Sequence, residues 1–230
     1  MPSKRYKKNE KLVEARKPYL LKEAVQILAK FEKAKFNETI DLAFRLGVDP
    51  KQSDQMVRGT VPLPHGTGKT VRVLVFAKPG PTAEAARQAG AEFVGFDDMI
   101  KKCTDGWVDF DVAVATPEAM VEVRKLGKVL GPRGLMPNPK TGTVTEDTAK
   151  AVREVKAGRV EFKVDKAGNI HVPVGKANFK SEQVEENARS VIEAVTKARP
   201  ASVKGTFVLS CTLSATMSPG VRVDTREFTA

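Results

Sequence analysis

Val71-Arg72-Val73-Leu74-Val75-Phe76-Ala77 is the stretch on which the fold turns. A strand with one wet face alternates apolar and polar residues, whereas a strand covered on both faces reads as a continuous apolar run. This run therefore predicts a strand with helices packed on both sides. The elements after it agree. A helix is expected from Pro81 to near Gly90, a strand over Glu92–Gly95, and a helix over Asp97–Thr104. A strand over Asp111–Ala115 follows, then a helix over Pro117–Lys125 capped by Thr116, and a helix over Glu146–Lys156. Strands alternating with helices build a parallel sheet with right-handed crossovers.

Working outward, the period changes. Ile40, Leu42, Phe44, Leu46 and Val48 share one parity, and Thr39, Asp41, Ala43, Arg45 and Gly47 the other. That is a half-buried strand, with a second expected over Met56–Leu63. A helix opening at Pro18 carries the stripe Leu20, Leu21, Ala24, Val25, Leu28 and Phe31. On the far side, Arg159–Asp165 and Asn169–Val174 read as a hairpin around Lys166-Ala167-Gly168. Ser181 is placed to cap a helix with Val184, Ala188, Val191, Ile192 and Val195 inward. Thr206 to Met217 alternates again: Phe207, Leu209, Cys211, Leu213, Ala215 and Met217 against Thr206, Ser210, Thr212, Ser214 and Thr216, with Val208 the exception. Neither flank alone has strands and helix enough to bury a sheet face. The economical fold is α/β in two domains, a discontinuous one over 1–66 plus 159–230 and an inserted one over 67–158. The crossings carry Gly66, Gly68 and Gly158, which suits a hinge.

The 230 residues carry a net charge of +11, and both parts have a cationic excess, the larger in the flanks. Such a balance points to a polyanion, either nucleic acid or an acidic membrane surface. No run approaches the about 20 apolar residues that span a bilayer, so no membrane insertion is expected. Aromatics make up 6% of the chain, too few for a stacking platform to dominate. Cys103 and Cys211 lie far apart among apolar neighbours and read as reduced, inert thiols. The segment from Met1 to Lys17 reads as a basic arm, frayed without a partner.

Lys125 to Gly142 holds four glycines and three prolines, and with Arg124 it carries five cations and no carboxylate. That density predicts a long loop without a helix, and ordered loops of such length are usually functional. Gly66-Thr67-Gly68-Lys69-Thr70 looks like the end of a phosphate loop. Leu63 stands where that motif needs glycine, and a strand rather than a helix is expected next. The alternative of a nucleotide-binding enzyme built on the inserted α/β domain therefore has little support. The paired acids Asp97-Asp98 and Glu185-Glu186 sit at a helix start and on a helix surface, where they form no catalytic constellation.

Several stretches resemble one family. Leu126-Gly127 through Asn138-Pro139-Lys140-Thr141-Gly142 is similar to the best-known signature of the universal ribosomal stalk protein family L-one, and Pro64-His65-Gly66-Thr67-Gly68-Lys69 to its interdomain junction. Lys35-Phe36-Asn37-Glu38-Thr39, Asn169-Ile170-His171-Val172-Pro173-Val174-Gly175 and Ser214-Ala215-Thr216-Met217 are similar too. The resemblance runs in order over nearly the whole chain and fits a bacterial member. It implies a two-layer split α/β domain with an inserted Rossmann-like three-layer domain. It implies a cytoplasmic, non-enzymatic constituent of the large ribosomal subunit, monomeric when free, with no cofactor or metal. Its partners would be large-subunit ribosomal RNA, exit-site tRNA and the mRNA of its own operon. RNA contacts carry over to Lys35, Phe36, Thr39, Lys166, His171, Ser210, Thr216, Met217 and Ser218, where the family usually has glycine in place of Ser218. Auxiliary contacts fall on Lys125, Lys128, Arg133 and Lys140.

Read without the resemblance, these residues say less. The hydroxyl row predicts only a solvated strand face. Phe36 reads as a core or staple residue, Met217 by its parity as core, and His171 as a structural histidine.

Overall fold

The structure is a computed structural model that describes residues 3–14 and 17–228. The chain forms two compact units, Met1–Gly68 with Val160–Ala230, and Lys69–Arg159.

Of the basic arm expected to be frayed, residues 3–14 are ordered, whereas residues 1, 2, 15 and 16 lie outside the described residues. Helix α1 (Lys4–Glu10) is capped by Ser3, whose Oγ accepts from the Tyr6 N–H at 3.2 Å. The helix is also pinned: buried Asn9 donates to the Glu32 carbonyl at 3.1 Å and accepts from the Glu32 N–H at 2.9 Å. Helix α2 (Leu21–Ala29) starts later than expected, because Tyr19 is engaged in a parallel bridge with Val223. Leu21, Ala24, Val25 and Leu28 are buried, whereas Leu20, expected inward, is exposed. Strands β1 (Thr39–Leu46) and β2 (Arg58–Pro62) follow.

The second unit contains β3 (Val73–Phe76), α3 (Pro81–Gln88), β4 (Phe93–Gly95), α4 (Asp97–Thr104) and β5 (Val112–Ala115), then α5 (Met120–Val123), α6 (Gly127–Leu130) and α7 (Thr148–Lys156). Its sheet is parallel, in the order β4-β3-β5. Val73 and Val75 pack with Ala83, Ala86, Ala151, Val152 and Val155, so α3 and α7 cover one face. Leu74 and Phe76 pack with Cys103, Val123 and Leu130, so α4, α5 and α6 cover the other. The apolar run thus sits in the middle of three layers.

The glycine-rich stretch also departs from expectation. Arg124–Leu126 wind as a 3-10 helix and Gly127–Leu130 as one turn of α-helix. Gly127 (φ −53°, ψ −33°) and Gly131 (φ −59°, ψ −54°) take right-handed helical angles, which glycine permits as readily as left-handed ones. Leu126 and Leu130, four apart and both buried, supply the apolar face that stabilises the turn. The α-helical part of the expected Pro117–Lys125 helix begins only at Met120, after a turn in which the Thr116 hydroxyl accepts from the Ala119 N–H.

The chain returns through β6 (Arg159–Lys163), β7 (Asn169–Lys176), α8 (Ser181–Lys197), β8 (Val208–Ala215) and β9 (Val221–Val223). Strands β6 and β7 do not form the expected hairpin. β6 pairs with β2, and β7 joins the four-stranded sheet β7-β1-β8-β9. The Val164 N–H donates to the Val57 carbonyl at 2.9 Å, which carries β6 away with β2. α8 is entered at Lys180, one residue before the expected cap. Helices α2 and α8 contribute Val25, Leu28, Val184, Val191 and Val195 to the core under the four-stranded sheet, together with Leu42, Ile170 and Leu213. A register shift between Arg45 and Leu46, opposite Ser210 and Val208, explains the odd parity of Val208. The extra residue, Leu209, is turned out to solvent instead of inward, and Val208 is buried in its place.

Candidate nucleic-acid interface

The residues of the four-stranded sheet that point away from its core form a polar face. His171, Ala43, Thr212 and Arg222 stand opposite one another in one row across the sheet. Asp41 lies between Pro173 and Ser214, and Arg45 between Asn169 and Ser210. Arg45, His171 and Arg222 are exposed and the hydroxyl residues half-buried. Asp41 carries no ordinary carboxylate. Burial pushes its pKa up, against the opposing pull of His171 and Lys176.

At one end of this face a tight turn presents Lys166. Asp165 Oδ1 accepts from the Ala167 N–H at 2.8 Å and the Asn169 N–H at 2.7 Å. The Asn169 N–H is the main reason that the Asp165 carboxyl is held below its ordinary pKa. Gly168 takes φ +82°, and a Cβ there would come within 3.3 Å of the Leu46 carbonyl oxygen, so the turn favours glycine.

At the other end lies a corner built from the start of β1 and the end of β8. The Thr216 hydroxyl accepts from the Thr39 N–H at 3.0 Å and donates to the Thr39 carbonyl at 3.2 Å. Lys176 Nζ donates to the Thr39 hydroxyl at 2.8 Å. Lys35 is exposed, and beside it Phe36 and Met217 are 53% and 55% exposed, large apolar side chains left in solvent. Neither is the core residue that its sequence position alone suggested. Glu38, 2% exposed, fixes their backbone: one carboxylate oxygen accepts from the Met217 N–H and the other from the Ala34 N–H, both at 3.2 Å. Ser218 turns its hydroxyl inward. Oγ is buried with no partner among the described residues, and the residue lines a cavity of about 50 Å³ beneath the corner with Glu38 and Ala215.

Six of the nine RNA candidates therefore meet at one corner: Lys35, Phe36, Thr39, Thr216, Met217 and Ser218. His171 lies midway along the sheet face, and Ser210 and Lys166 lie toward the other end. Ser210 to Thr216 spans about 20 Å at the rise of a strand. The auxiliary candidates sit in the second unit. Lys125, paired with Glu122 at 2.5 Å, Lys128 and Arg133 are exposed. Lys140 falls in the 3-10 helix Pro139–Thr141, and its side chain lies outside the described residues. Gly66 (φ 65°), Gly68 (φ 69°) and Gly158 (φ 100°) all take left-handed angles near the unit boundaries.

Sequence reasoning missed several residues. Asn187, fully buried, accepts from the His65 N–H at 3.0 Å and donates to the Gly66 and Val174 carbonyls at 3.0 and 2.8 Å. It ties the junction before Gly68 onto α8. Its signal was an amide inside the apolar stripe between Val184 and Val191. Glu38 was legible only as part of a family-like stretch and Arg45 only as a strand residue.

Other chemistry is poorly provided for. Burial raises the Cys103 thiol and pushes the Cys211 thiol up to about 12, which leaves both protonated and unreactive. Lys69 of the phosphate-loop look-alike pairs with Asp111 at 2.6 Å and leads into β3, not a helix. Among the described residues, no three His, Cys, Asp or Glu side chains converge as a metal site. No described helix is long and apolar enough to cross a membrane.

Mixed α/β units, a cationic balance and an open sheet face rich in hydroxyls describe a protein built to bind a structured polyanion. The model of the ribosomal protein L1p/L10e family matches residues 28–219, and the chain belongs to that family. It is thus a large-subunit ribosomal protein that binds ribosomal RNA, structural rather than enzymatic, and its place is the ribosome in the cytoplasm. The matched span contains every RNA candidate from Lys35 to Ser218 and begins after α1.

Proposed function

We propose that the discontinuous domain, 1–66 with 159–230, holds ribosomal RNA on its open sheet face and on the Phe36–Met217 corner. The inserted domain, 67–158, adds contacts through Lys125, Lys128, Arg133 and Lys140. In this reading the protein forms the mobile stalk at the exit site, with Gly66, Gly68 and Gly158 as the hinge. It assists release of deacylated tRNA, and it represses its own operon by binding a look-alike site in the mRNA. It is a monomer when free and needs no cofactor.

The observation that carries the reading is the exposure of Phe36 and Met217 on a backbone fixed from below by Glu38. Structured RNA is recognised by shape, 2′-hydroxyls and its shallow minor groove, which calls for rigid backbone, hydroxyls and an apolar contact. The decisive measurement is affinity for a stalk-type ribosomal RNA fragment against a control RNA of equal length at near-physiological salt. A clear preference for the fragment, with competition by the operon leader RNA, is expected. Equal affinity for both RNAs would sink the reading, because purely electrostatic binding carries no such preference.

A further inference from the structure

The polar main-chain groups of Met217 are held from two sides. Its N–H goes to Glu38, and its carbonyl accepts from Arg5 Nη2 at 3.0 Å. Arg5 Nη1 lies 3.4 Å from the Glu38 carboxylate and donates to the Glu32 carbonyl at 3.3 Å. One guanidinium therefore bridges the strand end that carries Met217, the acid that fixes the other side of Met217, and the loop that leads to Phe36. Arg5 is itself part-buried, at 23% exposure. It comes from α1, which Asn9 pins to the same loop at Glu32 and which lies before the span matched by the family model.

We propose that Arg5 is a positioning residue for RNA recognition: it docks α1 against the corner and fixes where the Met217 side chain is presented. This inference rests on the reading of that corner as an RNA contact. The physical reason lies in the side chains. Methionine is unbranched and adaptable, so its placement depends on its backbone. A planar fork of donors can hold a carbonyl and a carboxylate at once, which the point charge of lysine does poorly. The positive charge of Arg5 is spent on Glu38 and two carbonyls, so its contribution is orientation and not phosphate attraction.

The test uses the full chain with methionine methyl groups isotopically labelled, and the variants Arg5→Ala, Arg5→Lys and Met217→Ala. In the free protein, Arg5→Ala should shift or broaden the Met217 methyl resonance while those of Met99 and Met136 stay in place. With the stalk-type RNA fragment, Arg5→Ala should weaken binding by about tenfold, through faster dissociation, as for loss of a charged hydrogen bond. The salt slope of binding should not change, and the loss should largely vanish in a Met217→Ala background. Arg5→Lys should fall between Ala and the natural residue.

Several results would overturn the proposal. An unmoved Met217 methyl or unchanged affinity in Arg5→Ala would each do so. A salt slope smaller by about one would make Arg5 a phosphate contact. Full activity of Arg5→Lys would mean that charge alone acts. If Met217→Ala and Phe36→Ala both bind RNA normally, the corner itself is not the contact, and the proposal falls with that reading while the free-protein methyl shift still reports the clamp.

Discussion

The two sheets differ in what covers them. Val73, Leu74, Val75 and Phe76 of β3 are all 0% exposed, because helices pack on both faces of the parallel sheet. β1 buries Ile40, Leu42, Phe44 and Leu46 and leaves the residues between them at or near the surface. Only a sheet with a bare face can offer strand side chains to a ligand. The inserted unit must use what lies outside its strands, and its exposed Lys125, Lys128 and Arg133 do lie there. Rigid strands place groups more accurately than loops, so the bare sheet and its corner suit shape-specific RNA contact, and the insert suits looser charge contact.

One pair of substitutions breaks the comparison most sharply. Val75→Asp puts an unpaired carboxylate between two cores and should cost about 4 kcal/mol or more, enough to unfold the inserted unit in calorimetry. Thr212→Asp, on the bare face, should leave the melting transition nearly unchanged and weaken RNA binding through like charge. Comparable destabilisation by both would show that the bare face is covered in solution.

Phe36→Ala and Met217→Ala come next. Both side chains are exposed, so stability should move by less than about 0.5 kcal/mol. RNA affinity, followed by filter binding or calorimetry, should fall by about 1–3 kcal/mol for each, the range for an apolar or stacking contact with a base. Lys128→Ala and Arg133→Ala should cost less and mainly reduce the salt slope. The reverse ranking would move specificity to the insert.

These residues also show how far the sequence could be read. The unbroken run at Val73–Phe76 and the alternation at Ile40–Leu46 stated the two kinds of sheet directly, because burial on one or two faces is written in period and composition. The partition of β6 and β7 between sheets was not legible, since both alternate and the pairing of β6 with β2, which the Val164–Val57 bond extends, is a long-range contact. The helical turn at Gly127–Leu130 was hidden because glycine predicts freedom, not its use. Leu209 and Leu20 read as core, yet a bulge and the Tyr19 bridge turned them out. At the corner, sequence marked Phe36 and Met217 only through family likeness. The pieces that hold them, Glu38 and Arg5, come from segments 179 and 212 residues away from Met217, a distance no local pattern spans.

Thr216→Val sharpens the corner further. The hydroxyl is already engaged with both polar groups of the Thr39 backbone. Its loss should cost about 1 kcal/mol of stability by taking an acceptor from the Thr39 N–H, with a similar loss in RNA affinity as the two strand ends part. Unchanged affinity in a folded variant would mean that the pairing is not needed for recognition. Thr216→Ser, which keeps the hydroxyl, should retain both properties.

The smallest expected effect concerns Asp41, an acid on the bare face. Asp41 sits between Pro173 and Ser214, and the side chains that pull against its shift are His171 and Lys176. Burial raises its folded-state pKa, and the opposing pull of His171 and Lys176 only partly offsets the shift. A group raised in this way favours the folded state most at low pH, and the benefit is lost as pH rises through the folded value. At neutral pH the ionised carboxylate therefore weighs against folding, and on the proposed RNA face it would also repel phosphates. Asp41→Asn should raise stability at pH 7 by less than about 1 kcal/mol, as befits a partly solvated charge. The two proteins should converge as pH falls toward the ordinary carboxylate range. RNA affinity should rise severalfold at neutral pH if the bare face meets the backbone, and stay constant if only the corner does. Denaturant melts and binding isotherms at a series of pH values therefore separate the sheet face from its corner, the finest division that the comparison of the two sheets allows.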